Sequence, residues 1–416
     1  MPARGVDAGV LTGEALLARF QALDAFLIEH QALWKPRPFT HLHLPWEASY
    51  PELASWLRSR SLEDAENAHN QPALLDAPEP FASLAARSVA LSAVGPLPAH
   101  ALEAAGHRLN VDVPGRKWQQ IEAFASRLSF ARSPTHWLDW CSGKGHLGRR
   151  LLQTDQQLTC LEHDPALVAA GQALSLRHQL PAQHVEQDVL APDATSLLSS
   201  VHTPVALHAC GDLHVRLIQL ASAAGCKQMA VAPCCYNRID LTHYQPVSSV
   251  AARSKLQLSL DDLSLPMSET VTAGARVRRQ RDLSMARRLA FDLLQRQLRG
   301  VDEYLPTPSL PSAWLDKPFA DYCHHLAALK ELSTIGTQDW SALEAAGWQR
   351  LAEVRNLELL RGLFRRPLEL WLVLDRALFL TEQGYTLRLG TFCETALTPR
   401  NLLMLAERDQ AVAACG

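Results

Sequence analysis

Trp137 to Gly148 reads W-L-D-W-C-S-G-K-G-H-L-G: an apolar run ending in Asp139, a glycine-rich turn, then the start of a helical pattern. Gly143 and Gly145 permit a tight turn and close backbone approach to a ligand, because no Cβ intrudes. Outward from this stretch, short apolar runs at 136–141, 158–162, 184–188, 205–209 and 229–232 alternate with helical patterns at 146–153, 165–178 and 213–224. Strand–helix alternation at this spacing predicts an α/β domain with a parallel sheet.

Three ligands compete for the turn. A phosphate-binding P-loop needs Gly five residues before the Gly-Lys pair and Ser or Thr after it, and those places hold Leu138 and Gly145. A dinucleotide fingerprint is spelled by Gly143, Gly145 and Gly148, with Glu162 as the acid 19 residues after Gly143. The third ligand, S-adenosylmethionine, has no phosphate but offers an ammonium group, ribose hydroxyls and an adenine amino group. Asp139 after the first strand suits the ammonium end, Glu162 after the second the ribose, and Asp188 after the third the adenine. Cys141, Gly143, Gly145, His163, Val189 and His208 complete the candidate donor set. A single acid at a strand end is ordinarily a cap or a solvated loop end. Three in register favour the methyl donor, with a nicotinamide-dependent oxidoreductase as the competing enzyme and a non-catalytic binding module as the competing class.

The chain has 416 residues and 47% hydrophobic content, enough for two or three domains and incompatible with disorder. A formal charge of −3 argues against a uniformly basic nucleic-acid coat, though not against one local basic face. The apolar stretch 15–33 carries Arg19, Asp24, Glu29 and His30, so it reads as neither a signal sequence nor a membrane span. Nine scattered cysteines suggest reduced thiols and a cytoplasmic setting. Vicinal Cys234-Cys235 lacks the paired C-x₂₋₄-C spacing of a structural zinc site, so no metal centre is expected.

The composition divides the chain into a proline-broken helical domain (1–112), an α/β core (113–260), an Arg-rich helical insertion (261–330) and a C-terminal part (331–416). That last part is expected to hold a helix at 367–383, a strand at 385–392 and a final helix at 401–408. In the insertion, Arg276, Arg278, Arg279, Arg281, Arg287, Arg288, Arg296 and Arg299 face only Asp282 and Asp292. Guanidinium forks suit phosphates, so RNA is a candidate partner through this segment.

Four further motifs occur in order: G-R-K-W-Q-Q-I-E-A-F (Gly115 to Phe124), H-A-C-G-D-L (His208 to Leu213), A-P-C-C-Y-N (Ala232 to Asn237) and T-P-R-N (Thr398 to Asn401). With the glycine turn they resemble a family of class I S-adenosylmethionine-dependent methyltransferases, and the chain looks like a bacterial-type member. That family includes eukaryotic methyltransferase-like proteins and the glutathione S-transferase C-terminal domain-containing protein. The H-x-C-G and C-C-Y motifs are also similar to eukaryotic tRNA 2′-O-methyltransferases of the acceptor stem. The resemblance implies a Rossmann-like seven-stranded sheet whose last strands come from the C-terminal part.

Ligands of open α/β sheets sit at the carboxyl ends of the strands, so residues after the fourth and fifth strands should face the methyl group. His208 or Asp212 is then a candidate base, Tyr236 a stacking surface for a planar acceptor, and Asn237 a hydrogen-bonding partner. Cys210, Cys234 and Cys235 are candidate thiolates for addition to cytosine C6, which requires a lowered thiol pKa. With the Arg-rich segment, the resemblance favours RNA (rRNA or tRNA) as the methyl acceptor over a protein or a small molecule.

Overall fold

The computed structural model describes residues 9–104, 109–268, 275–332 and 334–408. Eight strands form one sheet: β1 Leu11–Thr12, β2 His136–Trp140, β3 Gln157–Glu162, β4 Ala182–Glu186, β5 His202–Cys210, β6 Gln228–Cys234, β7 Thr386–Thr391 and β8 Leu402–Glu407. Their order is β1-β7-β8-β6-β5-β2-β3-β4. Neighbours among β2 to β6 pair in parallel, while β8 lies antiparallel between β6 and β7. Strands β2 to β8 are the expected Rossmann-like seven; β1 adds a two-residue antiparallel edge on β7. The order turns back between β2 and β5, which opens a crevice at their carboxyl ends.

The central strands are apolar along their length because a parallel sheet is covered on both faces; all seven residues of β6 are buried. On one face, Trp137, Leu158, Cys160, Val205, Ala230, Leu403 and Leu405 pack with Ile121 and Phe124 of helix Gly115–Ala125 and with Leu147 and Leu151 of helix His146–Leu151. Each large side chain buried there stabilises the fold by about 2 kcal/mol.

The expected helix at 401–408 is instead strand β8. Leu402 to Ala406 is an uninterrupted apolar run with no helical period. Five consecutive buried positions suit a strand enclosed by β6 and β7, and that tertiary setting overrides the helix preference of Leu and Met.

The chain also divides differently from the composition. One compact unit comprises Met1–Ile28, Ala90–Met267 and Arg366–Gly416; the other comprises Glu29–Val89 and Ser268–Arg365. The expected 1–112 domain is split, because residues after Glu29 fold with a distant segment. Within that second unit, Arg58 pairs with Glu353 at 2.7 Å and Arg361 donates to the Trp34 carbonyl at 2.6 Å. Helices Ala275–Arg299 and Trp340–Gly362 cross closely, since a Cβ on Gly347 would stand 2.5 Å from the Ala286 carbonyl oxygen. Among the described residues, no helix is long and apolar enough to cross a membrane.

Candidate functional site

The turn after β2 uses its three glycines for three reasons. Gly143 has φ +57°, and no atom lies within 4 Å of where its Cβ would stand. Gly145 has φ +73°, and a Cβ would meet His184 at 2.7 Å and Cys160 at 2.9 Å. Gly148, inside the helix, presses its missing Cβ against Leu158 at 2.5 Å. One glycine faces open space where a ligand can approach; the other two let the turn lie on the sheet.

Asp139 is 2% exposed beneath this turn, and its Oδ2 accepts from the Gly148 N–H at 2.9 Å. Burial pushes its carboxyl up to about 7, against the pull of that hydrogen bond and of Arg149. Glu162, at the end of β3, binds the turn from the other side. Its Oε2 accepts from Gly143 N–H at 2.8 Å, and its Oε1 accepts from His163 N–H at 2.9 Å and Asp164 N–H at 3.1 Å.

Beside Glu162 lies a cavity of about 240 Å³ lined by Cys141, Leu161, Glu162, His163, Gln187, Asp188, Val189 and Leu213. Five of the residues expected to hold the donor line it: Cys141, Glu162, His163, Asp188 and Val189. Asp139, Gly143, Gly145 and His208 lie outside that lining. Asp188 accepts from Leu190 N–H through Oδ1 at 3.0 Å. Burial, with Glu162 next, pushes the Cys141 thiol up to about 12, so it is neutral. Gln187 and Leu213 were not singled out by sequence; their positions after β4 and β5 were the available signal.

Around β5 and β6 the backbone is distorted. Their register shifts between Leu207 and Ala209, opposite Pro233, whose missing N–H suits an interrupted ladder. The shift frees His208, which adopts φ +63°. Its Nε2 lies 3.2 Å from Gln120 Oε1, while Gln120 Nε2 donates to the Leu397 carbonyl at 3.1 Å. A carbonyl only accepts, so the Gln120 amide is fixed with its oxygen toward the ring. His208 therefore carries its proton on Nε2 and its lone pair on Nδ1. Burial and then Arg400 lower its pKa to about 4, keeping the ring neutral.

Gly211 follows with φ +52°, and a Cβ there would stand 1.8 Å from the Arg238 carbonyl oxygen. That carbonyl also accepts from Asp212 N–H at 2.9 Å, while Asp212 Oδ2 accepts from Asp240 N–H at 2.9 Å. Asp212 thus ties the 238–240 loop to helix Asp212–Ala223. Asn237 donates to Ser264 Oγ at 3.2 Å. Tyr236 is fully buried: its hydroxyl reaches Glu369 Oε1 at 3.3 Å and its ring lies 5.6 Å from the Arg376 guanidinium. The expected stacking surface is therefore a core residue. Tyr236 follows a strand end but turns inward, because its ring fills the space over His214, 6.1 Å away.

Cys210 and Cys234 face each other across the β5–β6 register with Sγ atoms 3.6 Å apart. Cys235, with φ +47°, completes a group of three Sγ atoms all within 4.8 Å. Hydrogen bonds from the Cys210 and Cys234 thiols hold the half-exposed Cys235 well below the ordinary thiol range, with Arg400 and Arg238 acting the same way. Sharing protons with Cys210 and Cys235 pushes the buried Cys234 up. Lys117, Arg238 and Arg400 all act electrostatically on this region: Lys117 and Arg400 on His208, Arg238 and Arg400 on Cys235. Lys117 and Arg400 stand in motifs visible in the sequence and Arg238 just beyond one, but nothing local assigns these side chains a role.

The Arg-rich helix, in the second unit, is mostly committed to its own packing. Arg281 pairs with Asp282 at 3.1 Å, Arg287 with Glu344 at 3.2 Å and Arg296 with Asp292 at 2.9 Å. Arg299 donates to Gln295 at 2.8 Å, and Arg288 lies 5.6 Å from the Phe39 ring. Arg276, Arg278 and Arg279 are exposed.

Residues 116–242 match a family model described as a methyltransferase domain. No curated protein matches the chain. A solved structure, coclaurine N-methyltransferase bound to N-methylheliamine and SAH, is 12% identical over 82% of this chain and 89% of its own. Its TM-score of 0.25 is too low to carry an argument. The matched segment holds β2 to β6, the glycine turn, the cavity and His208. The chain thus carries a methyltransferase domain on a Rossmann-like sheet.

Proposed function

We propose that the cavity beside Glu162 holds the adenosine of the donor and that the acceptor is RNA, methylated beside His208. Three of the roughly four acceptor positions of the Glu162 carboxylate are taken by backbone N–H groups, which leaves one on Oε2 for a ribose hydroxyl. Asp188 has Oδ2 for the adenine amino group, and Leu161, Val189 and Leu213 supply apolar walls. The methionine end then runs along the open side of Gly143 toward the ends of β5 and β6. Asp139 acts as a positioning residue, holding the turn through Gly148.

The observation that carries the acceptor side is the pairing of a neutral imidazole, lone pair on Nδ1, with three cations of one sign. His208 accepts the proton of the attacking group as the new bond to the methyl carbon forms and the sulfonium–methyl bond breaks. Lys117, Arg238 and Arg400 offer phosphate contacts. On this reading the RNA contact belongs to the methyltransferase unit instead of the Arg-rich helix, where five of the eight arginines have internal partners. The motifs after β5 and β6, similar to those of tRNA 2′-O-methyltransferases, support the same acceptor class, in a bacterial-type member of that wider family.

Incubation with donor labelled in its methyl group, against total RNA and total protein from cells lacking this chain, tests the reading. Ribonuclease-sensitive label is expected. Label recovered only in protein or in small molecules would overturn the acceptor and leave the donor reading standing.

A further inference from the structure

We propose that Cys210, Cys234 and Cys235 form a three-thiolate site for one zinc ion, with a fourth coordination position left open.

Consecutive side chains of a strand point to opposite faces, so vicinal Cys234 and Cys235 should diverge. Instead β6 ends at Cys234, and the left-handed backbone of Cys235, φ +47°, brings its thiol back to the same side. Such a conformation costs a non-glycine residue on the order of 1 kcal/mol. The parallel register supplies the third thiol by setting Cys210 opposite Cys234.

The resulting dimensions suit the ion. Zinc–sulfur bonds of about 2.3 Å in a tetrahedral site put two sulfurs about 3.8 Å apart. The Cys210–Cys234 separation is 3.6 Å, and all three Sγ atoms lie within 4.8 Å. Thiolates select zinc over magnesium or calcium, which take oxygen ligands. Among the described residues, no imidazole nitrogen or carboxylate oxygen joins the three thiols within the same limit. The fourth position therefore falls to water or to an acceptor atom, the pattern of a reactive zinc site. Three thiolates and a divalent ion leave one negative charge, which Arg238 and Arg400 offset.

On binding, three zinc–sulfur bonds form, zinc-bound waters leave, and each thiol still protonated gives its proton to solvent. Zinc draws charge from a bound thiolate and weakens it as a nucleophile, so loading the site competes with addition of a cysteine to a pyrimidine. The site does not depend on the acceptor proposed above.

The test uses the full chain, reduced and stripped with chelator, titrated with Co²⁺ as a spectroscopic substitute and then with Zn²⁺. A thiolate-to-cobalt charge-transfer band saturating at one equivalent, and removed by Zn²⁺, is expected. Cys210→Ser and Cys235→Ser should each weaken Co²⁺ binding at least about tenfold, whereas Cys323→Ala in the second unit should leave the band unchanged. Absence of the band in fully reduced wild-type protein would overturn the proposal. So would a band that persists in the Cys210→Ser/Cys235→Ser double variant. Calorimetry with S-adenosylhomocysteine on the same samples checks folding and separates failure of the metal site from failure of the donor site.

Discussion

The cavity proposed for the donor is lined by residues between Cys141 and Leu213, whereas His208 is held by Gln120, whose amide is in turn fixed by Leu397. One end of the site is thus local in sequence and the other is assembled from three separated segments. At the donor end, backbone N–H groups of a short turn do the holding, so the sequence needs only glycines and an acid at set intervals. At the acceptor end, distorted strand ends and loops from distant parts of the chain set the geometry. Substitutions should accordingly separate cleanly: some affect donor binding alone, others transfer alone.

The largest separation is expected from His208→Asn. Loss of the general base should lower kcat by about 10²- to 10³-fold, while affinity for S-adenosylhomocysteine stays within about twofold of wild type. Equal losses in both, by steady-state kinetics and calorimetry, would erase the distinction between the two ends. Next in size is Gly143→Val. The side chain would enter space that is empty of protein and also strain the left-handed backbone at φ +57°, so donor affinity should fall about 100-fold, beyond what its own loss of Tm explains. Gly145→Ala offers the contrast: its Cβ meets His184 and Cys160, so it should lower Tm, with a cost of about 2 kcal/mol.

These glycines also show what the sequence reveals. The sheet, the turn and the acids Glu162 and Asp188 follow from period and spacing, because a parallel α/β core imposes both. The final strand does not: Leu402 to Ala406 carries no period, and only its enclosure by β6 and β7 makes it extended. Tyr236 misleads for a related reason, since its place after a strand suggests exposure but the Arg376 and Glu369 side chains draw it inward. Gln120 and Arg400 are legible only as motif members and Arg238 lies just outside one, because their roles depend on long-range contacts. The Arg-rich helix displays a charge run whose meaning depends on Glu344, Asp292 and Phe39, which no local pattern links to it.

A smaller effect is expected on the acceptor side. Lys117→Ala and Arg238→Ala should each weaken RNA binding about threefold to tenfold and reduce the slope of affinity against salt by about one. Arg278→Ala, on the exposed part of the Arg-rich helix, should leave both unchanged. The reverse pattern in filter binding across salt concentrations would move the RNA contact back to that helix.

A separate effect, on stability alone, concerns Asp139. Its carboxyl keeps its proton up to about pH 7 in the folded chain but loses it near 3.8 when unfolded. Between those values the folded state binds more protons, so stability falls as pH rises from about 4 to 7 and levels off above. Urea unfolding from pH 5 to 8 should show Asp139→Asn lacking this decline, which amounts to at most about 1.4 kcal/mol per pH unit. An identical decline in the variant would remove Asp139 as its source.

In the proposed function, Glu162 and the cavity beside it hold the methyl donor. Calorimetry of S-adenosylhomocysteine with wild-type protein and Glu162→Ala tests it most directly. One ligand per chain in the wild type, and an affinity about 100-fold weaker in the variant, is the predicted result. Absence of heat in the wild type, or equal affinity in the two proteins, would contradict it.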